Sequence, residues 1–365
     1  MPTFPRHQIM SLTAEQSRHE LGESYGPDLR LADLLGSELD GLELGYGTAA
    51  GDPRLRSAIA ERHGVRPEEV VVTVGGMHGI FLLAYLLVDQ GEFVTTAPLF
   101  PMTQSIFDTV GASVRVVPLG FDDGYQLTAQ AVRAQLTPQT RLVSLATPQN
   151  PSGVAVPRQV LREIVEAMNE VCPDAWLMVD ETYRVASYGE EPIAETAATL
   201  GPRVVVAASL SKCHGAAGLR IGWVISTDAA LVEKLTTAKF STVVSASPVC
   251  EALAVRVFAQ EDEILSHRKN WLEENLLITQ DWVAANSEVV EWVRPDGGAL
   301  CVVRLKAGLD LERFKRAAVE LDVRLADGDW FGDDPRVFRL GFGFLPAGEL
   351  KAALDALREA LHTAH

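Results

Sequence analysis

The stretch RVVVAASLSKCHGAAGLRIG, residues 203–222, joins an apolar β-branched run to a loop of small residues and then to a second apolar run. The first run predicts a buried strand at residues 203–209, and the glycines after it predict a loop. In an open α/β sheet, ligands bind in the crevice at the carboxyl ends of the strands. The stretch therefore predicts an α/β fold in which Lys212 points into a site, with a solvated surface lysine as the alternative.

Outward from this stretch, short β-branched runs alternate with amphipathic helical stretches between about residues 52 and 227. This alternation is typical of a mostly parallel sheet covered by helices on both faces. We predict seven strands, at residues 70–73, 93–97, 113–118, 141–147, 175–180, 203–209 and 221–226. Helices are predicted between them, including residues 53–63, 127–136 and 156–171.

After Pro248 the pattern changes to long helices and a few short strands, which predicts an α+β segment. We predict a helix through residues 261–286, strands at 290–293, 299–305 and 337–343, and a closing helix at 348–361. The predicted organisation is an N-terminal arm (1–35) that completes a small domain, a large α/β domain (36–260) and a smaller C-terminal α+β domain (261–365).

Composition narrows the classes of function. The 365 residues are 47% hydrophobic, and 32 Lys+Arg against 49 Asp+Glu give a formal net charge of −17. Such a charge repels phosphate backbones and anionic lipid surfaces, so we expect neither nucleic acid nor membrane as a partner. No leader pattern and no membrane-length apolar run is found, which predicts a cytoplasmic protein. Four cysteines without CxxC spacing predict neither disulfides nor a metal site.

Two further strand ends carry polar side chains that would meet Lys212 in the same crevice. LMVDETY, residues 177–183, delivers Asp180 and Tyr183, and SLATPQNPSG, residues 144–153, ends in a turn that holds Asn150. A carboxylate like Asp180 can keep a pyridinium nitrogen protonated, while the amide and the phenol can donate to a ring oxygen. Each has an ordinary alternative, as a helix N-cap, a core aromatic or a turn residue.

A phosphate site is indicated by the residues around these strand ends. The hydroxyls of Ser209 and Ser211 and the guanidinium of Arg220 suit a phosphate group. TVGGMHG, residues 73–79, opens a predicted helix, and backbone N–H groups at a helix start bind phosphate; here they belong to Gly75, Gly76 and Met77.

Two residues farther from this loop complete the candidate site. Phe100 follows a predicted strand and can lie flat against a ring, or pack in the core as an ordinary aromatic. Arg339 lies in the apolar run RVFRLGF, residues 336–342, and a guanidinium there needs an anion. That anion is either the carboxylate of a bound amino acid or an internal acid.

In this order and spacing, the residues resemble the class I and II aminotransferases, which belong to the fold-type I enzymes that use pyridoxal 5′-phosphate (PLP). The resemblance spans nearly the whole chain and is more specific than any single motif. It rests on Tyr46, Gly51, Leu55, Arg56, Gly75, Gly76, Phe100, Asn150, Pro151, Gly153, Asp180, Glu181, Tyr183, Ser209, Ser211, Lys212, Arg220 and Arg339. One departure is Met77, which stands where many members have Ser or Thr.

The resemblance implies roles for the residues around the cofactor. Lys212 holds PLP as a Schiff base and moves the α-proton of the substrate. Asp180 pairs with the pyridine nitrogen, and Asn150 and Tyr183 hold the ring oxygen. The phosphate is held by Ser209, Arg220 and the backbone at Gly76 and Met77.

The resemblance also implies a fold and partners. The fold is that of the fold-type I transferases, and the protein is a homodimer in which Tyr46 reaches the phosphate of the neighbouring subunit. The substrates are an amino acid and a 2-oxo acid, whose carboxylate Arg339 clamps. By the same resemblance, the N-terminal arm with Gly22 and Glu23 lies over this pocket. That Glu23 meets a cationic side chain there is a hypothesis of our own. No family role is implied for His214.

Other classes of protein share single motifs with the chain. GYGTAA, residues 45–50, matches a dinucleotide-binding pattern, but residues 39–44 make a poor buried strand and no acid ends a following strand. Ser209 and Lys212 match the SxxK motif of serine acylases, whose SDN and KTG partners do not follow. A PLP-binding regulator would need a basic helix-turn-helix segment, which is absent.

Within PLP chemistry the alternatives stay open, because these residues hold the cofactor without choosing which substrate bond breaks. Transamination is the main prediction, and a PLP-dependent lyase, cyclase or oxidase is the alternative. The sequence motifs do not identify the amino donor.

Overall fold

The computed structural model describes residues 4–14, 17–36, 39, 41–88, 91–186, 188 and 193–364. Its α-helices are α1 (Ser11–Ala14), α2 (Leu31–Leu34), α3 (Pro53–His63), α4 (Gly76–Leu87), α5 (Pro101–Thr109), α6 (Ala129–Arg133), α7 (Arg158–Val171), α8 (Ala229–Val243), α9 (Pro248–Ala259), α10 (Glu261–Ala285), α11 (Leu311–Glu320) and α12 (Ala347–Thr363). Its strands are β1 (His19–Glu20), β2 (Val70–Val74), β3 (Glu92–Ala97), β4 (Ser113–Pro118), β5 (Thr140–Ala146), β6 (Trp176–Asp180), β7 (Val204–Ser209), β8 (Ile221–Ser226), β9 (Val290–Val293), β10 (Leu300–Leu305), β11 (Val323–Arg324), β12 (Ala326–Asp327) and β13 (Val337–Gly341).

The large sheet has seven strands in the order β2-β8-β7-β6-β5-β3-β4. The neighbouring pairs are parallel except those of β8, which runs antiparallel to both β2 and β7. Strands β7 and β8 are buried at every position, as expected for a sheet covered on both faces. The predicted fold class, a large and mostly parallel seven-stranded sheet between helices, is confirmed.

Helices cover the two faces of this sheet with separate apolar clusters. On one face, Leu55 and Ile59 of α3 and Ile164 of α7 pack against the apolar side chains that the strands present to that face. On the other face, Leu83 of α4 and Leu235 of α8 do the same. Burying apolar side chains stabilises the fold by about 25 cal/mol per Å² of apolar surface removed from water, so both faces hold the strand ends in fixed positions.

A second, four-stranded antiparallel sheet has the order β12-β13-β10-β9, and it packs with α10, α11 and α12. The N-terminal arm meets this region, because β1 pairs in parallel with β11 and Leu21 lies in the same apolar core. The domain boundaries stay predictions.

Within the described ranges, no helix is both long enough and apolar enough to span a membrane.

Candidate active site

The carboxyl ends of three parallel strands lie side by side at one edge of the large sheet. In the strand register, Asp180 at the end of β6 is opposite Ala146 of β5 and Ala207 of β7. The loops after these strands meet over a cavity of about 380 Å³. The predicted site residues that line this cavity are Gly76, Met77, Phe100, Asn150, Asp180, Tyr183, Ser209, Ser211, Lys212 and Arg220.

Four predicted site residues do not line the cavity themselves. Gly75 lies behind the wall as the N-cap of α4, and Arg339 lies behind Asn150. Gly22 is buried, and its carbonyl accepts a hydrogen bond from Arg339. Tyr46 does not line the cavity of its own chain, and 89% of its surface is exposed.

Lys212 is the central cation of the cavity. Its Nζ donates to Ser24 Oγ at 3.2 Å and lies 4.7 Å from the ring centroid of Tyr25. Burial, with a smaller contribution from the positive charge of Arg339, lowers the pKa of this amine to about 8, although the negative charge of Glu23 opposes the shift. A neutral amine, which can act as a nucleophile or base, is therefore accessible near neutral pH.

The Asp180 carboxyl is partly buried at the end of β6, and its charged form needs a cationic partner there. Its Oδ1 accepts from the backbone N–H of Thr182 at 2.9 Å, which fixes the carboxyl at the end of β6. Burial raises the pKa of Asp180 above its usual range, and the hydrogen bond from Thr182 opposes this. A protonated ring nitrogen in the cavity would stabilise the charged form of Asp180.

Arg339 forms a buried pair with Asn150 across the cavity wall. Only 1% of Arg339 is exposed, and its guanidinium donates to Asn150 Oδ1 at 2.9 Å and to the carbonyl of Gly22. Its Nε finds no hydrogen-bond partner and its guanidinium no ion pair among the described residues, so the internal acid that the sequence left possible is not found there. Because a buried charge without a counter-ion is costly, the site suits a ligand carboxylate.

The N-terminus of α4 and the loop after β7 form a cradle beside Lys212. Gly75 has a φ of 73°, and a Cβ on it would clash with the guanidinium of Arg220. Gly222 lets β8 approach this turn, since a Cβ there would lie 2.5 Å from the carbonyl carbon of Gly75. Ser209 Oγ accepts from the N–H of Ser211 at 3.3 Å. Free helix N–H groups, hydroxyls and a guanidinium together suit a phosphate.

These groups fit PLP. Phosphate donors, an amine, a partly buried carboxyl and ring-oxygen donors surround one cavity, and the hydroxyl of Tyr183 is buried there without a hydrogen-bond partner in the described part of the chain. Burial raises the pKa of Tyr183, so this hydroxyl is a neutral donor. A ligand oxygen would satisfy it.

Sequence motifs missed the strap over the cavity, which we define as residues 19–28. The N–H of Gly341 donates to the carbonyl of Leu21 at 2.7 Å, and Gly341 has no room for a Cβ because the backbone of Glu23 lies directly against it. Ser24 and Tyr25 of the strap contact Lys212, which is far away in sequence. No local pattern encodes such contacts, although the family resemblance places Gly22 and Glu23 near the pocket.

His214 lies outside this cavity. Its Nε2 contacts Glu261 Oε1 at 2.7 Å, and both side chains are buried. The pair borders a separate cavity of about 440 Å³ behind the sheet edge and connects the lysine loop to the start of α10. Cys213 Sγ donates to the carbonyl of Thr182 at 3.0 Å, and burial raises the pKa of its thiol to about 11. Both residues thus make internal contacts that hold the loop.

Comparison with known proteins gives consistent matches. The family model "Aminotransferase class I and II" matches residues 9–357. Capreomycidine synthase of Streptomyces vinaceus is 32% identical over 343 residues, which cover 92% of this chain and 86% of that protein. A PLP-dependent aminotransferase of Streptococcus suis has a TM-score of 0.91 at 25% identity, covering 100% of this chain and 99% of that one. The PLP-dependent cyclase OrfR has a TM-score of 0.84 at 26% identity, covering 94% and 93%.

The family model extends over nearly the whole chain, and the Streptomyces relative exceeds 30% identity over most of both proteins. The cavity holds the groups that PLP requires, at the sheet edge where the fold places its ligands. The chain therefore belongs to the class I and II aminotransferases, a family of PLP-dependent transferases.

Proposed function

We propose that the protein transfers the amino group of an L-amino acid to a 2-oxo acid, with Lys212 as the residue that binds PLP and moves the α-proton. The observation that carries this proposal is the position of the Lys212 amine in one cavity with Asp180 and with Asn150, which Arg339 contacts from behind the cavity wall. Family membership supplies the reaction class, and the roles of the individual residues are our assignment.

PLP, when bound, supplies an electron sink that stabilises negative charge on the substrate Cα. Asp180 would hold the ring nitrogen protonated, and Asn150 and Tyr183 would donate to the ring oxygen. Phe100 would lie against the ring, because it lines the cavity beside these residues.

The phosphate is assigned to the cradle. Its donors would be the hydroxyls of Ser209 and Ser211, the guanidinium of Arg220 and the backbone N–H groups of Gly76 and Met77 at the start of α4. Gly75 gives the turn its shape. Because Met77 has no side-chain hydroxyl, the cradle depends more on backbone donors.

The substrate is held from the opposite wall. Arg339 would bind its carboxylate, with Asn150 and the carbonyl of Gly22 fixing the orientation of the guanidinium. The Lys212 Nζ then takes the proton from Cα, since its lowered pKa leaves a neutral amine available. The strap excludes water from this step by covering the cavity.

We assign the protein to a homodimer with shared sites. Tyr46 is 89% exposed and lies outside its own cavity, which suits a contact with the phosphate of a neighbouring subunit. Leu44, Phe240 and Val243 are also exposed and would give the interface apolar area. The N–H of Gly47 donates to Ser245 Oγ at 3.1 Å, so the loop of Tyr46 is tied to the segment after α8. The cytoplasmic compartment stays a prediction.

Cyclisation of an amino acid is the second candidate function. It is favoured by the 32% identity to a capreomycidine synthase and by the likeness to a PLP-dependent cyclase across nearly the whole fold. The same lysine, carboxylate and guanidinium serve both reactions, because they activate Cα without choosing the bond that forms or breaks afterwards.

The experiment that separates these functions is a single-turnover assay of the holoenzyme with one L-amino acid and no oxo acid. Transamination would consume the visible band of the lysine-bound cofactor and release one equivalent of 2-oxo acid. A second substrate, pyruvate or 2-oxoglutarate, would then restore the band.

A cyclase would give a different result in the same assay. The band would return without any oxo acid when the added amino acid carries a leaving group, such as a hydroxyl group, on its side chain. Mass spectrometry would find a cyclic product lighter by one water, because ring closure breaks the bond to that group. A cyclic product from one amino acid, with no 2-oxo acid released from any amino acid tried, would refute the aminotransferase proposal and support the second candidate.

A further inference from the structure

We propose that Glu23 selects amino acids whose side chain ends in a positive charge. This inference rests on the proposed function, since it concerns the substrate of the same site. Its first support is position, because Glu23 lies in the strap and lines the cavity together with Lys212 and Asn150.

The strap holds Glu23 in place from both sides. Before it, the carbonyl of Leu21 accepts from the N–H of Gly341, and the Glu23 backbone packs directly on Gly341. After it, Ser24 accepts from Lys212, and the Tyr25 ring packs edge-on against Phe344 at 5.5 Å. The backbone that carries the Glu23 carboxylate is therefore held in place, so less conformational entropy is lost when the strap meets a ligand.

Two other carboxylates near the cavity, Glu20 and Asp180, already have partners. Glu20 accepts from the N–H of Gly22 at 2.9 Å and forms an ion pair with Arg324 at 3.3 Å. Asp180 accepts from Thr182 at the end of β6, under the ring position. In contrast, no described residue donates a hydrogen bond to the Glu23 side chain or lies within ion-pair distance of it.

The cations that act on Glu23 are committed to other groups during the reaction. Lys212 and Arg339 both feel the negative charge of Glu23. In the proposed function, however, Arg339 binds the substrate carboxylate, and Lys212 is linked to the cofactor before the substrate binds and serves as the base for the Cα proton afterwards. Glu23 is then an uncompensated negative charge at the cavity wall, which attracts a cation and repels an acidic side chain.

The remaining walls fit a long apolar stem that leads to such a cation. Leu99, Phe100, Met102 and Ile80 contribute apolar surface to the same cavity. Methylene groups pack on apolar walls while a terminal cation reaches a polar group, as lysine and arginine side chains do in proteins. The site therefore fits an amino acid with an extended aliphatic chain and an ammonium or guanidinium end.

The test compares pairs of amino donors that differ in the charge at the end of the side chain. L-Arginine with L-citrulline, and L-lysine with L-norleucine, are added to the holoenzyme, and the affinity of each is read from the change in the cofactor absorbance. A charge-assisted hydrogen bond contributes enough to favour the cationic member of each pair by about 10- to 100-fold. E23Q should reduce this preference to a few-fold, because the affinity for the cationic donors should fall much more than the affinity for norleucine.

D28N is the matched control. Asp28 belongs to the same strap, acts on Lys212 at a distance and does not line the cavity. D28N should keep the preference for the cationic donors. That result would show that the preference comes from direct contact between Glu23 and the substrate, and not from the overall negative charge of the strap. An intact cofactor band in both variants shows that they are folded and loaded.

Two results would overturn the proposal, namely equal affinity for both members of each pair in the wild-type protein, or a preference that E23Q leaves intact. Neither concerns transamination, because oxo acid released from norleucine would still establish it. Conversely, tighter binding of the cationic donors with no release of oxo acid would support the role of Glu23 and refute the proposed aminotransferase function.

Discussion

The two walls of the cavity are built in different ways. The sheet edge, which we define as the ends of β5, β6 and β7 with their loops, is held by bonds between near neighbours, such as Thr182 to Asp180 and Ser211 to Ser209. The strap is held by contacts far away in sequence, to Gly341 and Lys212.

This difference predicts a division of labour between the walls. The sheet edge carries the groups assigned to cofactor and proton transfer, so its loss should remove the chemistry. The strap carries groups that face the substrate, so its displacement should change substrate binding while the cofactor remains. Variants on each side therefore test whether the two walls are separable.

The largest effect is expected from removing the amine at the sheet edge. K212A deletes both the cofactor linkage and the base, and the loss of proton transfer alone should lower the rate by about 10²- to 10⁴-fold or more. Oxo acid released in a single turnover measures the rate, and the visible band of the lysine-bound cofactor should be absent.

K234A is the control for K212A, because Lys234 lies on the exposed part of α8 outside the cavity. It should retain both the band and the rate. Near-normal turnover in K212A, in protein of native thermal stability, would show that the central assignment is wrong.

A smaller effect is expected from G341A, which acts on the strap. A Cβ at this position would overlap the backbone of Glu23, so the strap must move. Overpacking of this kind costs about 1–3 kcal/mol of the free energy of unfolding, and we expect KM for the amino donor to rise by roughly 10-fold. The cofactor band should persist, because the sheet edge is intact.

G348A provides the comparison for G341A, since a Cβ on Gly348, in the first turn of α12, has open space around it. Helix propensity predicts a neutral or slightly stabilising change there. Loss of the cofactor band in G341A, with KM unchanged in the protein that remains loaded, would contradict the proposed division between the walls.

The same difference explains how far the sequence could predict the structure. The strand pattern predicted β2 to β8, because parallel buried strands are rich in β-branched residues and end in small or polar ones. The candidate residues at those ends, Asn150, Asp180 and Lys212, line one cavity as expected, because strand order alone brings the ends together.

The strap was harder to predict for a physical reason. Ser24 and Tyr25 form no motif, and their contacts with Lys212 depend on how the N-terminal arm packs on β13. The space left by Gly341 decides that packing, and local periodicity contains no information about it. The short strands β1, β11 and β12 were missed for the same reason, since two-residue strands have no detectable period.

The smallest expected effect is a shift in the pH dependence of cofactor capture, which depends on both walls. The neutral form of Lys212 attacks the PLP aldehyde, so capture by cofactor-free protein should rise with pH and level off above a midpoint near 8. Glu23 favours the protonated amine, and E23Q should therefore move the midpoint to lower pH, by a few tenths of a unit. Stopped-flow absorbance of the lysine-bound cofactor measures the rate.

Nα-Acetyl-lysine supplies the reference in this experiment, because it meets the same PLP ionisations without the protein. Its reaction should keep rising toward the usual lysine pKa of about 10.4. The ratio of the two rates isolates the titration of Lys212, in which burial and Arg339 lower the pKa and the strap carboxylate raises it. A protein midpoint equal to that of the reference would mean that the cavity does not desolvate the amine, and an upward shift in E23Q would reverse the sign assigned to Glu23.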